Sequence, residues 1–281
     1  MDEKIIDEEK IISFKSYLEN EEKSLATIEK YVRDIRQFAK FLKNTSVTKR
    51  KVLCYKNNLI DSGYAIRSIN SVIASINSFF TCFEWEELKI KALKMQKEIF
   101  LSEKRELTKS EYMRLVNAAE KNGNERLSLL FQTICATGIR VSELKYVTVS
   151  AVTEGQTEVN CKAKSRVIFF VKALRKKLLR YIKKNNISEG PVFVTKNKKP
   201  MDRTNIWREM KGICKIAGVD EEKVYPHNLR HLFARMFYSI EKDIVKLADI
   251  LGHSNINTTR IYTMSTGKEH CKKLERMNLI I

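Results

Sequence analysis

The scarcest residues set the first limit on this chain. Of 281 residues only nine are Gly and three are Pro, about a third of average usage. Reversals that need a positive φ or a proline-fixed φ must therefore be few. That favours helices with short connections and excludes sandwiches, propellers and collagen-like repeats. Apolar residues make up 43%, enough for a core and too many for general disorder. No apolar run approaches the ~20 residues of a membrane span. The acidic start (Asp2, Glu3, Asp7, Glu8, Glu9) is unlike a secretion signal, so a soluble cytoplasmic protein is expected, with no membrane partner. Cys54, Cys82, Cys135, Cys161, Cys214 and Cys271 are scattered, mostly among apolar neighbours, with no C-x-x-C pair. They read as buried reduced thiols, not as a disulfide frame or a metal site.

Charge gives the first functional clue. The formal net charge is +19, divided unevenly: residues 1–100 carry 18 basic and 15 acidic side chains, residues 101–281 carry 35 and 19. Between Glu158 and Glu189 there is no acidic residue, while ten Lys and Arg fall within 162–184. A field of this kind concentrates a polyanion and speeds its capture; a solvated basic helix face is the plainer alternative.

The predicted fold class is mainly α with a small antiparallel β-sheet. Residues 1–97 read as a helical bundle, with helices over Ile5–Leu18, Ser24–Leu42, Val47–Ile60 and Ala65–Trp85 from apolar spacing at i, i+3, i+4 and i+7. Arg33, Arg36, Lys40, Lys49, Arg50, Lys51 and Arg67 give it a basic side suited to DNA. Residues 98–106 read as a linker, and 107–281 as a second domain opening with a T-x-x-E capping box at Thr108 and Glu111. Strands are expected at Tyr146–Val152, Thr157–Cys161 and Arg166–Val171. Helices are expected at Arg126–Cys135, Ala173–Lys184, Arg203–Ala217, Pro226–Ser239, Asp243–Leu251, Thr258–Met264 and Lys268–Met277.

Four short stretches do not read as ordinary structural segments. In ATGIRVSEL (136–144), Arg140 follows a helix-ending Gly138 and opens the next turn; it could bind phosphate there or simply pair with Glu143. In YPHNLRH (225–231), Pro226 suits a first helical turn, so His227 and Arg230 share a face, and the neighbouring cation should keep the imidazole neutral. In LGHSNINTTRIYT (251–263), Gly252 ends a helix, His253 follows, and Tyr262 comes nine residues later in a short helix that Asn257 could cap. The fourth is the hairpin tip Lys162-Ala163-Lys164-Ser165-Arg166. Each alone has a structural explanation. Together, two guanidinium groups, two imidazoles, a lysine and a phenol suit a phosphodiester. Cations stabilise a phosphorane, a phenol can attack it, and an ammonium can protonate the leaving oxygen.

ATGIRVSEL, HNLRH and LGHSNINTTRIYT resemble the three signature boxes of the tyrosine recombinases (the phage integrase family), most closely the Xer-like and short transposon integrases. The resemblance spans essentially the whole chain. It implies a helical core-binding (SAM-like) domain followed by an α+β catalytic domain, without the extra arm-binding module of long phage integrases. It implies Arg140, His227, Arg230 and His253 as the phosphate-activating set, Tyr262 as nucleophile and Glu143 in support. The family's hairpin usually reads K-G-x-K or K-G-K. Lys162 before Ala163 matches it better than Lys164, which stays the alternative, and His231 reads as a supporting or packing residue. The implied reaction is cleavage and rejoining of double-stranded DNA at an inverted-repeat core site through a 3′-phosphotyrosyl link and a Holliday junction, with neither metal nor ATP. The implied assembly is a homotetramer on two DNA sites, built from monomers free in solution and able to take accessory proteins, at the bacterial nucleoid. The apolar tail Cys271, Leu274, Met277 and Leu279-Ile280-Ile281 resembles the helix that docks on a neighbouring protomer. A type IB topoisomerase, or a DNA-binding regulator with a vestigial site, are the competing readings.

Overall fold

A computed structural model of the chain describes residues 4–95, 106–161, 164–195, 197–263, 271 and 275–277. It divides into two units, Met1–Lys97 and Glu98–Ile281. In the first, α1 (Glu8–Asn20), α2 (Leu25–Leu42), α3 (Lys49–Asp61) and α4 (Ile66–Cys82) surround one apolar core. Asp7, Ser24 and Thr48 each cap a helix by accepting from a backbone N–H three residues on. The phenyl rings of Phe14 and Phe79 meet edge to face with centroids 5.2 Å apart, and Trp85 closes the cluster 5.9 Å from Phe79. The buried Asp34 accepts from Ser75 Oγ at 2.7 Å and pairs with Lys30 at 2.6 Å, tying α2 to α4. Arg33, Arg36, Lys40, Lys49, Arg50 and Arg67 are exposed, whereas Lys51 is half-buried and donates to Thr45 Oγ1 and Ser46 O.

The second unit is built on α5 (Lys109–Lys121), α6 (Glu125–Thr137), α7 (Val149–Glu154), α8 (Lys172–Lys184), α9 (Arg203–Ala217), α10 (Pro226–Glu241) and α11 (Ile244–Leu251), with one hairpin of β1 (Gln156–Cys161) and β2 (Lys164–Phe169). The capping box at Thr108 and Glu111 is formed. Leu127, Leu130, Phe131 and Ile134 bury α6 in the middle of the core. The antiparallel register runs from Gln156 opposite Phe169 to Cys161 opposite Lys164, with Val159 and Ile168 turned inward and Val167 and Phe169 outward. Glu106, which the sequence reading assigns to the linker, is buried in this unit. Among the described residues no helix is long and apolar enough to cross a membrane.

Three expectations are corrected. Tyr146–Val152 is not a strand: Thr148 accepts from Ala151 N, α7 follows, and Gly155 ends it in the left-handed region. The β-branched run mimics a strand, but Ala151 and Val152 reach the core from within a short capped helix. The described part of Thr258–Met264, to residue 263, is not α-helical but falls in two 3₁₀ turns, Ile256–Thr258 and Arg260–Thr263. Asn255, rather than Asn257, supplies the cap, its side chain accepting from Asn257 N, and such i→i+3 closure tightens the turn. The thiols are less uniform than expected. Cys214 is buried, Cys82 and Cys135 are half-buried, and Cys54 and Cys271 are exposed, so the apolar sequence neighbours of Cys54 do not bury it. The expected terminal helix and tail lie outside the described residues apart from 271 and 275–277, where Cys271 and Met277 are exposed.

Candidate active site

Three helix ends converge. Gly138 terminates α6 at φ +64°, and a Cβ there would come within 2.5 Å of the Phe233 ring. The left-handed turn and the close approach both require glycine. Its carbonyl accepts from the Arg230 guanidinium. Gly252 terminates α11 at φ +62°, and a Cβ there would lie 2.9 Å from Arg166 Cδ. The carbonyls exposed by this ending are used by both arginines: Leu251 O accepts from Arg230 Nη2 at 2.6 Å and Gly252 O from Arg140 Nη2 at 3.1 Å. Pro226 starts α10, placing His227 and Arg230 in its first turns.

Arg230 is 2% exposed. Burial, then the charges of Arg140 and Arg166, bring its pKa down to about 10, which leaves it a cation at neutral pH. Arg140 is half-buried, and Glu143, 3% exposed, binds both its backbone N–H (2.8 Å) and its Nη1 (2.9 Å). Phosphate binding and pairing with Glu143 are therefore not exclusive readings of Arg140. The same carboxylate accepts two bonds from Arg166, at 3.0 and 2.8 Å, a bidentate geometry. Burial alone would raise the Glu143 pKa, but hydrogen bonds from Arg166 and Arg140 outweigh it and hold the carboxyl below its ordinary value. Three guanidinium groups and one carboxylate leave a net charge of +2.

The imidazoles differ in what they leave open. His253 Nε2 faces Arg230 Nη2 at 3.3 Å, and Nδ1 faces Thr259 Oγ1 at 2.9 Å. A guanidinium can only donate, so Nε2 is the acceptor and Nδ1 carries the proton. His253 is held down to about 4, by burial first and then by Arg230, Arg140 and Arg166. His227 is also held down to about 4, by desolvation and then by His231, Arg230, Arg140 and Arg203. Since His227 is exposed by surface area, the charge contribution is the part that survives hydration. Above about pH 5 the His253 ring is neutral, and the cations beside His227 disfavour its protonation as well.

Tyr262 lies in the last 3₁₀ turn and is 4% exposed. Its ring stacks on His253 at 6.1 Å and 19°, and meets His231 edge-on at 4.9 Å and 89°. Burial raises its pKa, while the charge and hydrogen bond of Arg230, and the charge of Arg140, oppose that rise. The site thus brings together Arg140, His227, Arg230, His253, Tyr262 and Glu143. Lys162 lies outside the described residues; Lys164 opens β2, and its side chain lies outside them too. Sequence reasoning missed Arg166, Thr259 and Glu106. The only signal for Arg166 was its place in the acid-free stretch after Glu158, since its partner lies 23 residues away.

The Phage integrase family model matches residues 105–269, and the Phage integrase, N-terminal SAM-like domain model matches residues 11–87. Tyrosine recombinase XerA of Pyrococcus horikoshii is 33% identical over 285 residues, covering 99% of this chain and 96% of that protein. Tyrosine recombinase XerD of Halalkalibacterium halodurans is 29% identical, covering 85% and 87%. Among solved structures, a XerA recombinase matches at TM-score 0.54 and 25% identity, covering 98% of this chain and 99% of that one. A lambda integrase tetramer bound to a Holliday junction matches at TM-score 0.75 and 18% identity, covering 93% and 78%, which is a likeness of fold.

Proposed function

The chain belongs to the phage integrase family and is a tyrosine-type site-specific DNA recombinase, and from that premise we propose that Tyr262 is its nucleophile, with Arg140, Arg230, His227 and His253 around the scissile phosphate. The observation that carries this reading is the convergence of both arginines and His253 on one buried phenol, with His227 one ring further out against His231. Tyr262 Oη attacks phosphorus. The Oη–P bond forms, the bond to the 5′ oxygen breaks, and a free 5′-hydroxyl leaves a 3′-phosphotyrosyl link. A phosphorane gains one negative charge over the diester, and the net +2 of the arginine cluster matches the dianion. Of the two imidazoles His227 is the one whose ring is open to a ligand, and it is neutral, so it takes the phenolic proton. His253, committed to Arg230 and Thr259, hydrogen-bonds and orients. Lys162 protonates the leaving 5′ oxygen, with Lys164 as the alternative donor. Attack by a partner strand's 5′-hydroxyl reverses each step, so bond energy is conserved and neither ATP nor metal is required.

Strand exchange between two duplexes by this route passes through a Holliday junction. It calls for four protomers on two inverted-repeat core sites, assembled on DNA from free monomers, with accessory proteins able to set direction. The exposed basic side of the first unit and the acid-free stretch of the second supply sequence-independent phosphate contacts. The test incubates sheared genomic DNA of the source organism with wild type and with Tyr262→Phe, denatures in SDS, and sequences the DNA ends bound covalently. Adducts concentrated at one inverted-repeat site and absent from the variant are expected. Adducts that persist in the variant refute Tyr262, and adducts scattered without sequence preference favour topoisomerase action over recombination.

A further inference from the structure

Behind Tyr262 lies a second ionisable group that the steps above do not use. Glu106 is 9% exposed. Its Oε1 stands 3.9 Å from His231 Nδ1, longer than a hydrogen bond, and its Oε2 stands 3.3 Å from Arg235 Nε. Neither Oε2 nor Arg235 Nε has a hydrogen-bond partner among the described residues. A carboxylate buried with an unsatisfied oxygen is costly, and such groups in native proteins call for an explanation. The second nitrogen-bearing edge of the cluster leads to the site: the His231 ring meets Tyr262 edge-on at 4.9 Å and His227 at 4.5 Å. Carboxylate, imidazole and phenol are thus joined by successive contacts, drawn from the segment before α5, from α10 and from the last 3₁₀ turn.

We propose that Glu106 and His231 are positioning residues for the nucleophile: Glu106 orients the His231 ring, His231 holds the Tyr262 ring edge-on, and the pair sets the charge balance at its phenol. The inference rests on Tyr262 as nucleophile. The charged and titratable groups facing Tyr262 are Arg230 and His231 from α10, Arg140 from the turn after α6, His253 after α11, and Glu106, with His227 against the far side of His231 and Arg235 behind Glu106. Burial would raise the Glu106 pKa, but His231 and Arg235 together hold it below the ordinary glutamate value, so the carboxylate is charged at neutral pH. Its negative charge adds to burial in keeping Tyr262 protonated, against the pull of Arg230 and Arg140. This resists ionisation of the free enzyme, so the phenol stays protonated until a base takes its proton during attack.

The test uses the full chain labelled with difluorotyrosine, whose phenols titrate below those of tyrosine, with the Tyr262 fluorine signal identified by its loss in Tyr262→Phe. Glu106→Gln should lower the Tyr262 titration midpoint, while Glu106→Asp, which keeps the charge, should stay near wild type. His231→Phe keeps a flat ring against Tyr262 but removes its polar edge. It should slow single-turnover adduct formation on a nicked core site by roughly tenfold or more, with DNA affinity unchanged. An unmoved midpoint in Glu106→Gln, or a wild-type cleavage rate in His231→Phe, overturns the proposal. A wild type that forms no adduct would count against the recombinase chemistry instead, and the DNA-free titration would still decide the pair.

Discussion

Removing the Glu143 carboxylate should strand a buried guanidinium. Glu143 is 3% exposed and accepts four hydrogen bonds, two from Arg140 and two from Arg166. The Arg166 side chain is itself 8% exposed, and its Nε already lacks a partner. In Glu143→Ala the Arg166 guanidinium would remain buried with no counter-charge. Breaking one side of a buried pair costs about 3–5 kcal/mol, a large part of the ~5–15 kcal/mol that holds a domain folded. Replacing both partners, in Glu143→Leu/Arg166→Met, removes the stranded charge along with the bond and should cost less than Glu143→Ala alone. Equilibrium urea unfolding of the full chain, followed by circular dichroism, measures both. The reasoning fails if Glu143→Ala costs under about 1 kcal/mol, the range of an exposed pair, or if the double variant is the less stable of the two. The linkage sign is also fixed. The folded pKa of Glu143 is depressed, so its contribution is complete above the unfolded value of about 4.3 and is lost as pH falls through the folded value.

Three further outcomes follow from the same geometry. Gly252→Ala places a Cβ 2.9 Å from Arg166 Cδ in a residue at φ +62°; it should cost roughly 1–3 kcal/mol and lower adduct formation, read by unfolding and by SDS-resistant complexes, and wild-type values of both would refute it. Because His253 is held at about 4 and an unfolded histidine titrates near 6.5, the unfolded chain binds more protons between those values. Stability should therefore rise with pH from about 4 to 6.5, and this rise should be smaller in His253→Gln, as a pH series of urea midpoints would report. Lys162→Ala should slow cleavage far more than Lys164→Ala, and a 5′-thio leaving group should rescue it; an equal or reversed pair of effects would transfer the acid role to Lys164.

What could be read from the residues was whatever is encoded locally. Thr108 and Glu111, Gly138, Pro226 and Gly252 act within one turn of their own position, and the structure has them capping, ending or opening helices as expected. The stretch Tyr146–Val152 misled because β-branched residues serve a short capped helix as well as a strand, and the capping hydrogen bond from Ala151 N to Thr148 decided the matter. Arg166 and Thr259 escaped for a different reason. Each acts on a partner brought near by folding, Glu143 across the hairpin and His253 across a tight turn. An arginine in a basic hairpin carries no mark of the carboxylate it will meet. Glu106 was hidden further still, since a charged stretch reads as linker until His231 and Arg235 of α10 are seen to close over it.

The way α11 ends has a bearing on how such a chain can change over time. Leu251, Gly252 and His253 are consecutive, and each supplies one contact to an arginine of the site. One residue inserted or deleted within the helix would rotate that trio by about 100° and withdraw all three contacts together. Val245, Lys246 and Asp249, on the exposed side of α11, make none of these contacts. Descendants of this sequence should accordingly exchange the residues on the outside of α11 freely while keeping its length.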